Sequence, residues 1–107
     1  MKRKNYAVTE SAEADLRIIV EYYSLHSMAY VNKLKHLFRD CFRRVCRQPN
    51  AGKPRDEFSP GLRSLVVDSK FIVYFRREGN TTNIVRVIHG ARNITSAFFN
   101  PPADEPE

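Results

Sequence analysis

A chain of 107 residues, 42% apolar and 28% charged, is long enough for one hydrophobic core and too short for two, and its composition is globular rather than disordered. The formal net charge of +6 directs attention to nucleic acid or an acidic protein as partner, against the plainer reading of a solvated basic face. No apolar run approaches the roughly 18 residues of a membrane span, and MKRKNY carries no hydrophobic segment behind its charges, so neither an anchor nor a cleaved secretion signal is expected. Cys41 and Cys46 stand five positions apart on one predicted helix and point to different parts of its surface, which argues for free thiols and a cytoplasmic, reduced protein.

In chain order, Tyr6, Ala7 and Val8 predict a short strand. Thr9 follows as an N-cap, with Glu10, Glu13 and Asp15 placed where the helix dipole favours negative charge. Ala12, Leu16, Ile19, Val20 and Tyr23 keep a helical spacing that fades near residues 25–27. A second helix has the cleanest apolar pattern, Leu34, Leu37, Phe38, Cys41, Phe42 and Val45, and Pro49 stops it. Its other side is basic: Lys33, Lys35, Arg39, Arg43, Arg44 and Arg47 oppose Asp40 alone. Residues 50–60, NAGKPRDEFSP, read as a connecting loop.

The stretch from Gly61 to Arg92 predicts an antiparallel meander. Leu62 to Val67, Phe71 to Phe75 and Ile84 to Ile88 are rich in β-branched and aromatic residues, with turns at Asp68-Ser69 and Gly79-Asn80. A symmetric second hairpin sets Phe75 against Ile84, Tyr74 against Val85, Val73 against Arg86, Phe71 against Ile88 and Lys70 against His89. One face then carries Ile72, Tyr74, Val85 and Val87 with Lys70 and His89 at its end. The other carries Phe71, Val73, Phe75, Ile84 and Ile88 with Arg86 among them. A two-helix hairpin covers one face only, so an apolar, arginine-rimmed sheet face is left for a partner. Residues 94–99 predict a further helical turn or a strand. The domain is expected to span residues 1–99, with 100–107 a flexible acidic tail.

No phosphate loop, dinucleotide fingerprint or metal motif occurs, and no cofactor or metal is expected. His26, His36 and His89 have no metal-ligand spacing. The remaining cluster is Lys70, His89 and Arg92, joined by Arg63 and Arg86, in which His89 and Arg92 offer two of the roles that metal-free phosphodiester cleavage needs. The competing reading pairs Arg86 and Arg92 with Asp56, Glu57 or the backbone.

Thr9 to Leu16 (TESAEADL), Gln48-Pro49 with Gly52, Pro60-Gly61-Leu62-Arg63, Phe71-Ile72-Val73-Tyr74 and, above all, the closing RVIHGAR of Arg86 to Arg92 together resemble the ParE branch of the ParE/RelE toxin superfamily. The resemblance runs in order over residues 6 to 92. It implies an α+β fold with helices on one face of a single sheet: an N-terminal strand, an antiparallel two-helix hairpin, then a three-stranded antiparallel meander. It also implies a bacterial type II toxin in complex with a cognate, ParD-like antitoxin whose extended or helical tail wraps it. RelE-type members cleave mRNA on the ribosome with basic residues and a tyrosine. Phe71 and Phe98 stand here where that branch has a catalytic arginine and the tyrosine, while Arg92 matches its remaining arginine. The ParE branch acts instead on DNA gyrase. The expected function is therefore a non-enzymatic gyrase inhibitor, with Arg63, Lys70, Phe71, Phe75, Arg86, His89 and Arg92 as target or partner contacts; the alternative is a RelE-like endonuclease using His89 and Arg92.

Overall fold

A computed structural model describes residues 6–90 and 94–99 of the chain. Arg92 and the acidic segment 100–107 fall outside the described residues. Strand β1 (Tyr6–Val8) leads into helix α1 (Glu10–Ser24), a short turn and helix α2 (Met28–Arg47). Strands β2 (Lys53–Pro54), β3 (Arg63–Val67), β4 (Phe71–Glu78) and β5 (Thr81–His89) follow, then a 3-10 turn at Ser96–Phe98.

Local chemistry sets the helix ends. Thr9 has extended backbone and its hydroxyl accepts from the Ala12 N–H at 3.1 Å, while donating to the Val85 carbonyl at 3.0 Å. The cap thus ends β1, begins α1 and fastens both to β5. Ser27 caps α2 by accepting from the Tyr30 N–H at 3.1 Å. Helix α2 stops two residues before Pro49.

The sheet runs β1-β5-β4-β3-β2, with β1 parallel to β5 and the rest antiparallel. The two expected turns are present: Asp68 and Ser69 both take positive φ (56° and 57°), and Gly79 has φ 62°. Strand β2 is an addition to the expected meander. It forms because Gly52, at φ 75°, passes so close to β3 that a Cβ there would lie 2.0 Å from the Ser64 carbonyl oxygen.

The β4–β5 register departs from the symmetric hairpin. Phe75 does face Ile84, but Tyr74 faces Arg86, Val73 faces Val87, Ile72 faces Ile88 and Phe71 faces His89. Val85 is the extra residue, a bulge between the Phe75 and Tyr74 pairs. Because side chains alternate strictly along a strand, one inserted residue exchanges the faces of everything beyond it. Val87 therefore joins Phe71, Val73, Phe75 and Ile84 under the helices, against Ala12, Ile19, Leu34, Phe38, Phe42 and Val45. Ile88 moves to the opposite face with Tyr74 and Leu62.

That opposite face is not open. Phe58 from the 55–61 loop and Ile94, Phe98 and Phe99 from the C-terminal segment pack on Leu62, Ile72, Tyr74, Val85 and Ile88. Phe99 stacks on Phe58 with ring centroids 5.7 Å apart and meets Tyr74 at 4.7 Å. The expected greasy partner face is thus a second small core closed by the chain itself. One hairpin is indeed too small to cover both faces; aromatic residues in a loop and a C-terminal turn cover the other.

Candidate functional site

The sequence singles out seven residues as contacts; six of them, all but Arg92, are described, and the structure separates these six. Phe71 and Phe75 are each 1% exposed and sit beneath the helices. Phe71 meets Phe38 edge-on at 5.6 Å and Tyr23 at 6.0 Å. They are corrected from surface contacts to core residues. Arg63 is occupied as a loop clamp, donating from Nε to the Ala51 carbonyl at 3.0 Å and from Nη2 to those of Asn50 at 2.7 Å and Gly52 at 3.3 Å.

Arg86 is the most committed side chain of the set. Its Nε and Nη2 each donate to Asp15 at 2.8 Å, a bidentate pair, and its Nη1 donates to the Phe98 carbonyl at 3.2 Å. The Phe98 ring lies 5.3 Å from the guanidinium carbon. Asp15 also accepts the Val87 N–H at 2.9 Å, just past the bulge. The hydrogen bonds that Arg86 donates to Asp15 raise the guanidinium pKa further, partly offset by burial. Of the partners expected for it, Arg86 takes the backbone, at the Phe98 carbonyl, and pairs with neither Asp56 nor Glu57. Its partner is an α1 residue 71 positions away, which pattern reading assigns to the helix dipole. The available signal is Asp15's place in the buried sector of α1 between Ala12 and Ile19.

Lys70 and His89 lie at one end of the sheet and are exposed. Gly90 N–H donates to the Lys70 carbonyl at 2.8 Å, which brings the two strand ends together. The side chains turn towards the helices. Lys70 Nζ donates to the Tyr30 hydroxyl at 3.3 Å and stands 4.7 Å from the Tyr30 ring centroid and 5.8 Å from that of Tyr23. The Tyr30 hydroxyl in turn donates to Asp68. Desolvation and that carboxylate raise the Tyr30 pKa, and the bond to Tyr30 raises that of Lys70. His89 rests edge-on against Phe71 at 5.7 Å. Among the described residues no group of His, Cys, Asp and Glu could hold a metal ion.

A partly open apolar groove lies elsewhere. It measures about 310 Å³ and runs between Leu16 and Val20 of α1, Leu34, Phe38 and Phe42 of α2, and Tyr6 and Val8 of β1, with Lys35 and Arg39 on its rim. Strand β1 is a sheet edge and pairs with β5 over three residues only. Sequence patterning finds these apolar positions but assigns all of them to helix–sheet packing.

A helical hairpin on one face of a five-stranded sheet, with the central strand sealed on its far side by a C-terminal turn, is a ParE/RelE-like α+β fold. Among solved structures it is similar to a chain of the chromosomal ParDE toxin–antitoxin system from P. aeruginosa, with a TM-score of 0.67 and 25% identity over 79% of this chain and 94% of that one. No curated protein matches the chain. A family model of the ParE toxin of the type II toxin-antitoxin system parDE matches residues 6–94, and the chain belongs to that family. Among the described residues no helix is long and apolar enough to cross a membrane.

Proposed function

We propose that this ParE-family chain is a cytoplasmic toxin that inhibits DNA gyrase by binding, without catalysing a reaction, and that a ParD-like antitoxin neutralises it in a hetero-oligomer. The observation that carries binding over cleavage is the commitment of Arg86. A guanidinium held in a bidentate pair with Asp15 and bonded to the Phe98 carbonyl through a third N–H is already neutralised and fixed in place, which disfavours a role in stabilising a phosphorane, and a core Phe71 adds nothing in its place. Lys70 and His89, exposed at one end of the sheet, are assigned to target contact.

The antitoxin is assigned to the α1–α2–β1 groove. An apolar trough with cations on its rim suits an amphipathic acidic segment, which orders as its apolar side chains enter and its carboxylates meet Lys35 and Arg39. The direct test is supercoiling by purified gyrase with added chain. Inhibition with accumulation of cleaved DNA complexes, relieved by antitoxin, is expected; undiminished supercoiling and no cleaved complexes at large excess overturn the reading. Primer extension on ribosome-bound mRNA separates the nuclease alternative, which requires toxin-dependent cuts that disappear in His89→Ala.

A further inference from the structure

Helix α2 presents a second surface, which shares only Arg39 with the rim of the groove and lies apart from the Lys70 end. Between Lys33 and Arg47 its apolar residues Leu34, Phe38, Cys41, Phe42 and Val45 are all buried, and Leu37 is half-buried. The residues on the solvent half, Lys33, Arg39, Arg43, Arg44 and Arg47, are exposed, with Asp40 the single acid among them. None of these five cations forms an ion pair among the described residues; their one side-chain bond is Arg44 Nε to Gln48 Oε1 at 3.1 Å.

This surface therefore offers charge without an apolar anchor. Stable protein interfaces centre on buried aromatic or aliphatic residues and are depleted of charge at their middle, so a run of five cations with no exposed apolar side chain is poorly suited to a protein partner. A polyanion backbone asks only for cations. At about 1.5 Å per residue the ridge is about 21 Å long. Duplex DNA carries one negative charge per about 1.7 Å of axis, so about a dozen phosphates pass within that length.

We propose that the outer face of α2 binds the phosphate backbone of duplex DNA without reading its sequence. The assignment goes beyond gyrase inhibition and does not depend on it. Asp40 tempers the ridge and the Tyr30 side of the helix does not take part.

The test is fluorescence anisotropy of a labelled duplex with the full chain, in the absence of gyrase and antitoxin, so that failure of the gyrase reading leaves the outcome interpretable. With five phosphate contacts, affinity should fall about 500-fold between 50 and 200 mM salt. The triple variant Arg43→Gln, Arg44→Gln, Arg47→Gln should bind more weakly at 50 mM salt and fall only about 10-fold over the same range. A circular-dichroism melt checks that this variant folds, and the charge-neutral Val66→Thr on the exposed side of β3, outside both surfaces, should bind DNA like the parent. Absence of salt-dependent DNA binding overturns the proposal, as does an unchanged salt dependence in the triple variant. Equal binding to poly-glutamate of matched charge also overturns it, because it assigns the ridge to acidic protein.

Discussion

Replacing Asp15 with alanine removes three hydrogen bonds at once: the two from Arg86 at 2.8 Å and the one from Val87 N–H at 2.9 Å. The Asp15 side chain is 9% exposed and that of Arg86 18%, so this is neither a solvated surface pair nor a fully dry one. Exposed pairs contribute about 0–1 kcal/mol, whereas breaking a buried pair costs about 3–5 kcal/mol because the surviving charge is left without a counter-ion. With a buried backbone N–H orphaned as well, we expect a loss of about 3–4 kcal/mol. For a chain of 107 residues the unfolding entropy near the midpoint is about 0.2 kcal/mol/K, so Tm should fall by about 15 °C in a calorimetric or circular-dichroism melt. Pairing Asp15→Leu with Arg86→Met should recover at least half of that loss, since no buried charge then remains unpaired. A fall of less than about 4 °C for Asp15→Ala, or losses in the double variant equal to the sum of the singles, would refute a coupled, desolvated clamp.

Val20→Glu should weaken antitoxin binding at least 10-fold by isothermal titration with little change in Tm, because Val20 lines the groove and is only half-buried. The Thr82 hydroxyl is buried without a partner among the described residues, so Thr82→Val should raise stability by about 1 kcal/mol, read as a Tm gain of about 4–5 °C. Burial pushes the Cys41 thiol from 9.0 up to about 11, which leaves roughly a hundredth of the ordinary thiolate at pH 8; alkylation by iodoacetamide should wait for unfolding. The sign for stability follows from the raised folded-state value. The Cys41 contribution is complete below about pH 9, is lost as pH rises towards 11, and should vanish from the pH profile of Cys41→Val.

What the sequence shows and hides divides along the range of the interactions involved. The Thr9 cap, the end of α1 near Leu25, the Pro49 stop and the turns at Asp68-Ser69 and Gly79 are decided by neighbours a few residues apart, and each is legible. The apolar period of α2 is legible for the same reason. The bulge at Val85 is not, because nothing in FIVYF or NIVRVIH distinguishes a paired valine from an inserted one; the choice is made by Thr9 holding the Val85 carbonyl and Asp15 holding the Val87 N–H. Every face assignment after that residue is consequently reversed. Covering of the second sheet face by Phe58, Phe98 and Phe99 is hidden in the same way, since an aromatic in a loop has no period that says where it lands.

The reversal matters for function more than for packing. In an unbulged hairpin Arg86 faces Val73 and shares a sheet face with Phe71 and Phe75, a cation in an apolar surface with no fixed partner. The extra residue instead sets Arg86 opposite Tyr74 and within reach of α1, where an aspartate from the buried sector of that helix meets it. Its Nη1 then ties down the carbonyl of Phe98, whose ring packs on the second core. One arginine thus links α1, β5 and the C-terminal turn, and the hydrogen bonds that stabilise this junction hold its guanidinium in place. The surfaces proposed for partners are ones the clamp does not touch: the groove beside β1, the Lys70 and His89 end, and the basic outer face of α2. If substituting Arg86 weakens binding to a partner, Tm should fall with it, whereas a substitution at Lys70 that weakens binding should leave Tm unchanged.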